Sequence, residues 1–272
     1  MTDPRLTLSN GRVAHDSLRG QVQADSYVPG QLRRIAHPVA DLLRAAGPGR
    51  LDRQLLMGEP FLEIDRLNGY SFGRAELNGY VGWVPTKALD DGPAATHRVC
   101  VRTTLAFRAP DIKTPGPVPL SLNSRLSVIR EEGRFFVTDE ERYIPASHLA
   151  PLDSPATDPI AVARLLLGTP YLWGGNSAFG IDCSGLVQLA AQACGLPCAG
   201  DSDLQSTSIG QPMPEGTPPA PGDLLFWPGH VVTVATPETI LHANAHYMAV
   251  VEEPIAEGLA RMGPPRAHRR RV

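Results

Sequence analysis

The chain has 272 residues, room for two or three domains, with 42% hydrophobic and 19% charged residues, an ordinary globular balance. Its net charge of −3 and pI near 6.2 give no reason to expect nucleic acid as a partner. No stretch approaches the roughly 18 apolar residues of a membrane span, and 26 Gly with 27 Pro predict many short strands and few long helices.

Residues 1–30 are polar and lack clear periodicity. Met1-Thr2-Asp3-Pro4-Arg5-Leu6 has no charged segment followed by an apolar run, which points to a cytoplasmic protein without a secretory signal. Short β-like segments follow: Val39 to Arg44, Arg53 to Met57, Pro60 to Ile64, and the alternating Tyr70 to Ala75. Asn78-Gly79 is a hairpin turn signal, and Tyr80-Val81-Gly82-Trp83-Val84-Pro85 closes the unit.

A second set of strands is predicted at His97 to Val101, Leu126 to Arg130 and Arg134 to Thr138. Its ending, Tyr143-Ile144-Pro145-Ala146-Ser147-His148-Leu149, parallels Gly82-Trp83-Val84-Pro85-Thr86-Lys87-Ala88-Leu89. An aromatic, a β-branched residue, a Pro and a final Leu recur in order, which reads as a degenerate repeat of two small β-barrels.

After a linker at residues 152–157, Asp158-Pro159 reads as an N-cap with Pro in the first turn. The helix body is Ile160 to Leu167, stopped by Gly168. A second helix starts at Cys183 and stops at Gly195. Beyond a Pro- and Gly-rich loop lie three predicted strands, Asp223–Trp227, His230–Ala235 and Thr239–His242. Helices before strands indicate α+β, a helix on an antiparallel sheet. Arg269-Arg270-Arg271 reads as a solvated end.

Cys183 stands where a helix begins, so exposed N–H groups and the positive end of the helix dipole would favour its thiolate. Cys194 and Cys198 read as buried structural cysteines, and four cysteines are too few for a secreted disulfide framework. Cys183 and Cys194 lie three helical turns apart, roughly 16 Å at ~1.5 Å per residue. They cannot share a zinc ion, and neither a metal nor a cofactor is expected.

His230 enters its strand from the turn Pro228-Gly229, where an imidazole could exchange a proton with a thiol near neutral pH. His242 ends the next strand, where a hairpin could bring it beside His230 to fix the tautomer; His246 is a rival four residues later. In Pro170-Tyr171-Leu172-Trp173-Gly174-Gly175, Tyr171 could donate to an oxyanion, whereas Trp173 reads as a core aromatic. These residues leave open acyl transfer, an inactive peptidase-like binding protein, and a secreted wall hydrolase.

Pro-Tyr-Leu-Trp-Gly-Gly, Asp-Cys-Ser-Gly-Leu-Val-Gln, Gly-Asp-Leu-Leu-Phe-Trp-x-Gly-His-Val and Leu-His-Ala-Asn-Ala together resemble the NlpC-type cell-wall peptidase family over about residues 158–255. Gly-Tyr-Val-Gly-Trp-Val-Pro, with Leu55 to Glu59 before it, resembles bacterial SH3-like domains. The resemblance implies two small all-β SH3-like barrels followed by an α+β papain-like catalytic domain. The divisions would be 1–90, 91–153 and 154–272.

It implies a Cys183, His230 and His242 triad with Tyr171 at the oxyanion site. The implied reaction is cleavage of the γ-D-glutamyl bond to a diamino acid, diaminopimelate, in murein-derived peptides with a free N-terminal L-Ala. Asp182 and Ser184 match residues beside the nucleophile that read that amine. Glu59 and Tyr80 are the candidates from the first barrel. Asp201 and Ser202 are substrate-binding candidates in a loop where Gly200 replaces a frequent Arg. Partners would be such peptides, with no nucleic acid and no membrane; the oligomeric state is open.

Overall fold

The computed structural model describes residues 3–271; Met1, Thr2 and Val272, the outer ends of the first and last sequence-based divisions, lie outside the described residues. The chain forms two compact units, divided between Asp153 and Ser154.

The N-terminal unit is almost all β. Seven strands form one sheet in the spatial order Leu51–Leu56, Val39–Leu43, Val81–Pro85, Tyr70–Ala75, Pro60–Leu67, Gln31–Ile35 and Leu89–Asp90. Alternate side chains point inward, as the two-residue period of a strand requires. Ile35, Leu42, Leu55, Phe61 and Val84 make a core with no exposed surface. Asn78-Gly79 does lie in the turn between two paired strands. The tighter hairpin is at Asn68-Gly69, where φ is +51° and +80° and Leu67 pairs with Tyr70, a two-residue turn with both central residues left-handed.

Residues 97–151 form smaller sheets around Val99, Leu120 and Ile144. The chain closes both halves the same way. Pro85 (φ −55°, ψ 125°) and Pro145 (φ −52°, ψ 124°) each lead into a single 3₁₀ turn, Thr86–Ala88 and Ala146–His148. Leu89 and Leu149 then return to extended backbone at ψ 143° in both. The repeat seen in the sequence is thus a repeat of backbone geometry. The polar N-terminal segment also contributes structure, a parallel pair of Val13–His15 with Ser26–Val28.

The C-terminal unit has helices α1 (Pro159–Arg164), α2 (Cys183–Ala193), α3 (Ser202–Ser208) and α4 (Ile255–Met262). Its six-stranded sheet runs Gln211–Pro212, Ala267–Arg270, Leu224–Trp227, His230–Val234, Thr239–Asn244, Ala249–Pro254, all antiparallel. Every residue of α2 except Gln192 is buried, as befits a helix apolar nearly all round. It packs through Val187 and Ala191 on Leu224, Phe226 and Val231. The alternate residues Leu225, Val232, Val234 and Ile240 face Ile255 and Met262 of α4. The expected helix-on-sheet arrangement therefore holds, with a helix on each face.

Three sequence expectations are corrected. The arginine tail is an inner strand, because buried Asp223 anchors it: Arg270 donates to both carboxylate oxygens at 2.7 Å and His268 lies 2.6 Å away. The loop after α2 contains α3, hidden in the sequence by its polar Ser-Asp-Leu-Gln-Ser-Thr-Ser composition. Trp173 is 56% exposed and is no core residue.

Candidate active site

The N-terminus of α2 is built around Asp182. As N-cap its Oδ1 accepts from the Gly185 N–H at 2.6 Å and the Ser184 hydroxyl at 3.0 Å. Its Oδ2 accepts from the Gly174 N–H at 2.9 Å, tying the helix to the preceding loop. Such a cap is worth about 1 kcal/mol to the helix. Gly174 takes φ +72° to make that turn, and Gly185 has no room for a side chain, since a Cβ there would sit 2.4 Å from the Gly175 carbonyl oxygen.

This scaffold puts Cys183 on the first turn, 5% exposed, with Sγ 3.9 Å from the carbonyl oxygen of Gly229. Gly229 immediately precedes His230. The sheet then supplies the second half of the site. His230 Nε2 lies 2.9 Å from His242 Nδ1, and the two rings stand 5.1 Å apart between centroids. Burial, then the neighbouring His242 and Arg261, push the His230 imidazole down to about 4, while Glu253 opposes them. His230 is therefore neutral, a proton acceptor, across the physiological range.

His242 is 1% exposed and has further partners. Its Nε2 lies 2.8 Å from Glu253 Oε1 and 3.0 Å from Asn244 Nδ2. Glu253 Oε2 accepts from Arg261 at 3.0 Å and the Tyr247 hydroxyl at 3.1 Å, and a second Arg261 nitrogen binds Oε1. Burial pushes the Glu253 carboxyl up, but Arg261, His242 and Tyr247 hold it below the usual carboxylate range.

Residues 168–261, which contain the Cys183–His230–His242 constellation, match the NlpC/P60 family model, and residues 42–89 match the bacterial dipeptidyl-peptidase SH3 domain. The chain joins a bacterial SH3 domain to an NlpC/P60 domain. A γ-D-glutamyl-L-lysine dipeptidyl-peptidase of Bacillus subtilis is 33% identical over 164 residues, 57% of this chain and 54% of that protein. Dipeptidyl-peptidase 6 of Lysinibacillus sphaericus is 38% identical over 87 residues, 31% of each. The alignment to the first of these spans about half the relative's length. In fold, an NlpC/P60 family protein of Bacillus cereus superposes with a TM-score of 0.75 at 20% identity, over 88% of this chain and 99% of that one.

Within the NlpC/P60 domain the structure brings together Cys183, His230, His242, Asp182 and Ser184. Tyr171 is half-buried and feels the charges of Cys183 and Asp182; burial first, then those charges, push its hydroxyl up to about 12. It keeps its proton and remains a donor. Asp201 precedes α3 and Ser202 opens it, and Gln205 of that helix donates to the Ser184 carbonyl at 2.9 Å. Glu59 and Tyr80 belong to the N-terminal unit, each 2% exposed. Glu59 accepts from the Leu56 N–H within its own barrel, and Tyr80 is part of that barrel's core.

Sequence reasoning missed Glu253, Asn244, Tyr247 and Arg261. A signal for Glu253 existed in Val250-Val251-Glu252-Glu253, an apolar run turning acidic. Pairing His242 with Val251 and Ile240 with Glu253 makes Glu253 the diagonal neighbour of His242 on one face. That register depends on the turn at residues 245–248, where Met248 takes φ +51°.

Proposed function

We propose that this protein is a cysteine peptidase acting on peptidoglycan stem peptides in murein peptide recycling. It cleaves the γ-D-glutamyl bond to a diamino acid, diaminopimelate or lysine, where L-Ala carries a free N-terminus. The observation that carries the reading is the 2.9 Å contact of His230 Nε2 with His242 Nδ1, beside a cysteine on the first turn of a buried helix. The family match and the printed names of the relatives support the substrate class.

With Nε2 committed to His242, His230 offers Nδ1 to the thiol. Nδ1 takes the Cys183 proton while sulfur attacks the γ-glutamyl carbonyl carbon. The Tyr171 hydroxyl and an N–H of the first turn of α2 receive the oxyanion. Collapse breaks the C–N bond, and the departing amine takes the proton from His230. Water then attacks the thioester, His230 accepts its proton, and that proton returns to sulfur as the acid product leaves. Asp182, Ser184, Asp201 and Ser202 line the substrate side in this proposal. Glu59 and Tyr80 remain the substrate-binding candidates that the resemblance implies from the first barrel.

The test is a comparison of L-Ala-γ-D-Glu-diaminopimelate, its lysine analogue, the N-acetylated peptide and intact sacculi. Rapid release of the L-Ala-γ-D-Glu dipeptide from the free peptides supports the proposal. Equal turnover of the acetylated peptide would remove the free-amine requirement, and no turnover of any of them would remove the reading.

A further inference from the structure

Two side chains make opposite demands on one nitrogen. Asn244 Oδ1 accepts from the Tyr247 N–H at 2.8 Å, so the Asn244 amide is oriented with Nδ2, a donor, 3.0 Å from His242 Nε2. Glu253 Oε1, an acceptor, lies 2.8 Å from the same nitrogen. A donor there calls for a bare Nε2, and an acceptor calls for Nε2–H.

The choice propagates. If Nε2 is bare, His242 carries its proton on Nδ1 and donates to His230 Nε2. His230 must then carry its own proton on Nδ1, which turns an N–H toward Cys183 and leaves no base. If Nε2 bears the proton, His242 Nδ1 accepts from the His230 Nε2–H, and His230 Nδ1 is left with a lone pair for the thiol. The first arrangement is inert and the second competent.

We infer that Glu253 is the positioning residue that selects the competent arrangement, in opposition to Asn244, and that Arg261 and Tyr247 keep it fit to do so. Hydrogen bonds to a charged acceptor are about twice as strong as neutral ones, so Nε2–H donating to the carboxylate prevails over the amide donating to a bare Nε2. Arg261 binds both of its oxygens and Tyr247 one, which secures both its charge and its aim. The groups facing the relay are His230, Glu253, Arg261 and Tyr247, of which Arg261 alone is a permanent cation. When His230 takes the thiol proton, the carboxylate also stabilises the resulting imidazolium through His242, with no proton passing to Glu253. Glu253 touches no reacting atom.

This inference rests on the reading of Cys183 as nucleophile and His230 as base, but its test does not need the substrate. ¹⁵N NMR of histidine-labelled protein reads the tautomers directly. The unmutated protein must show a protonated His242 Nε2 and a bare His230 Nδ1; a bare His242 Nε2 overturns the inference at once. In Glu253→Gln, which keeps the size and removes the charge, both tautomers invert. The rate of Cys183 alkylation by iodoacetamide, followed by mass spectrometry of its peptide, falls roughly 10²-fold with the melting temperature little changed. Adding Asn244→Ala to that variant removes the competing donor and restores at least about tenfold of the loss. Wild-type tautomers and alkylation within twofold in Glu253→Gln would overturn the assignment. Failure to turn over peptide with the tautomers as stated would instead count against the proposed function.

Discussion

His230 and His242 share one short contact, Nε2 to Nδ1 at 2.9 Å, and it fixes what each ring can still do. His230 has one nitrogen left for the thiol, and His242 has one left for the acid and amide behind it. Removing the second ring should therefore impair the first without moving Cys183. His242→Ala is expected to lower kcat/KM by about 10²-fold, and His242→Asn, whose carbonyl can still accept from Nε2–H, by less. Steady-state kinetics on the free tripeptide distinguish the two.

Cys183→Ala should abolish turnover, a loss of more than about 10³-fold, since it removes the proposed nucleophile. Because Cys183 is nearly buried, the smaller side chain costs only about 1 kcal/mol of stability. A dead but folded variant, checked by circular dichroism, is the expected outcome; residual activity above background would remove Cys183 as nucleophile.

The acid limb of kcat/KM reports the base in the free enzyme. Burial holds His230 down to about 4, so activity should persist through pH 5 and fall below about pH 4, where the imidazole becomes protonated and cannot take the thiol proton. Tryptophan fluorescence in the same buffers separates this titration from acid unfolding. A limb near pH 6.5 would show a solvated histidine instead.

Glu59 should make the protein less stable as pH rises. Burial pushes its carboxyl up to about 7 against the opposing pull of the Leu56 N–H, Arg125 and Arg53. The folded state thus holds a proton that the unfolded chain releases near 4.5, and stability falls between those values. At about 1.4 kcal/mol per unit, Glu59→Gln should match the natural protein near pH 4 and exceed it by up to ~3 kcal/mol at pH 8. Denaturant titrations at both pH values read the difference.

Gly185→Ala should cost both stability and activity. Its Cβ would lie 2.4 Å from the Gly175 carbonyl oxygen, a backbone atom that cannot swing away. The first turn of α2 must shift, and a loss of about 2 kcal/mol with a lowered kcat at nearly unchanged KM is expected.

Much of this was legible because the signals are local. Cys183 at a helix start, the Gly229 turn before His230 and the Pro–Leu endings of the two barrel-like halves each depend on a few adjacent residues. What escaped depends on register or on distant anchors. Glu253 reaches His242 only through a pairing set at residues 245–248. Arg270 reads as a solvated arginine until Asp223, far off in sequence, is placed beside it. Asp182 looks like a mere neighbour of Cys183, yet most of its hydrogen-bonding capacity is spent holding the turn on which that cysteine stands.

The sheet order also carries a temporal consequence. From Leu224 to Pro254 each strand pairs with the next through a hairpin, whereas Ala267–Arg270 must return across the intervening chain to reach Leu224–Trp227. Hairpins close faster than long loops. His230, His242 and Glu253 all lie on that meander, so this part of the site is expected to form early. Ala267, the first residue of that return strand, packs against the core of the Cys183 helix, so the helix seats fully only once the long return has closed. The expected order is therefore His230 and His242 in place first and Cys183 aligned last, which pulse-labelled hydrogen exchange of the two segments would read.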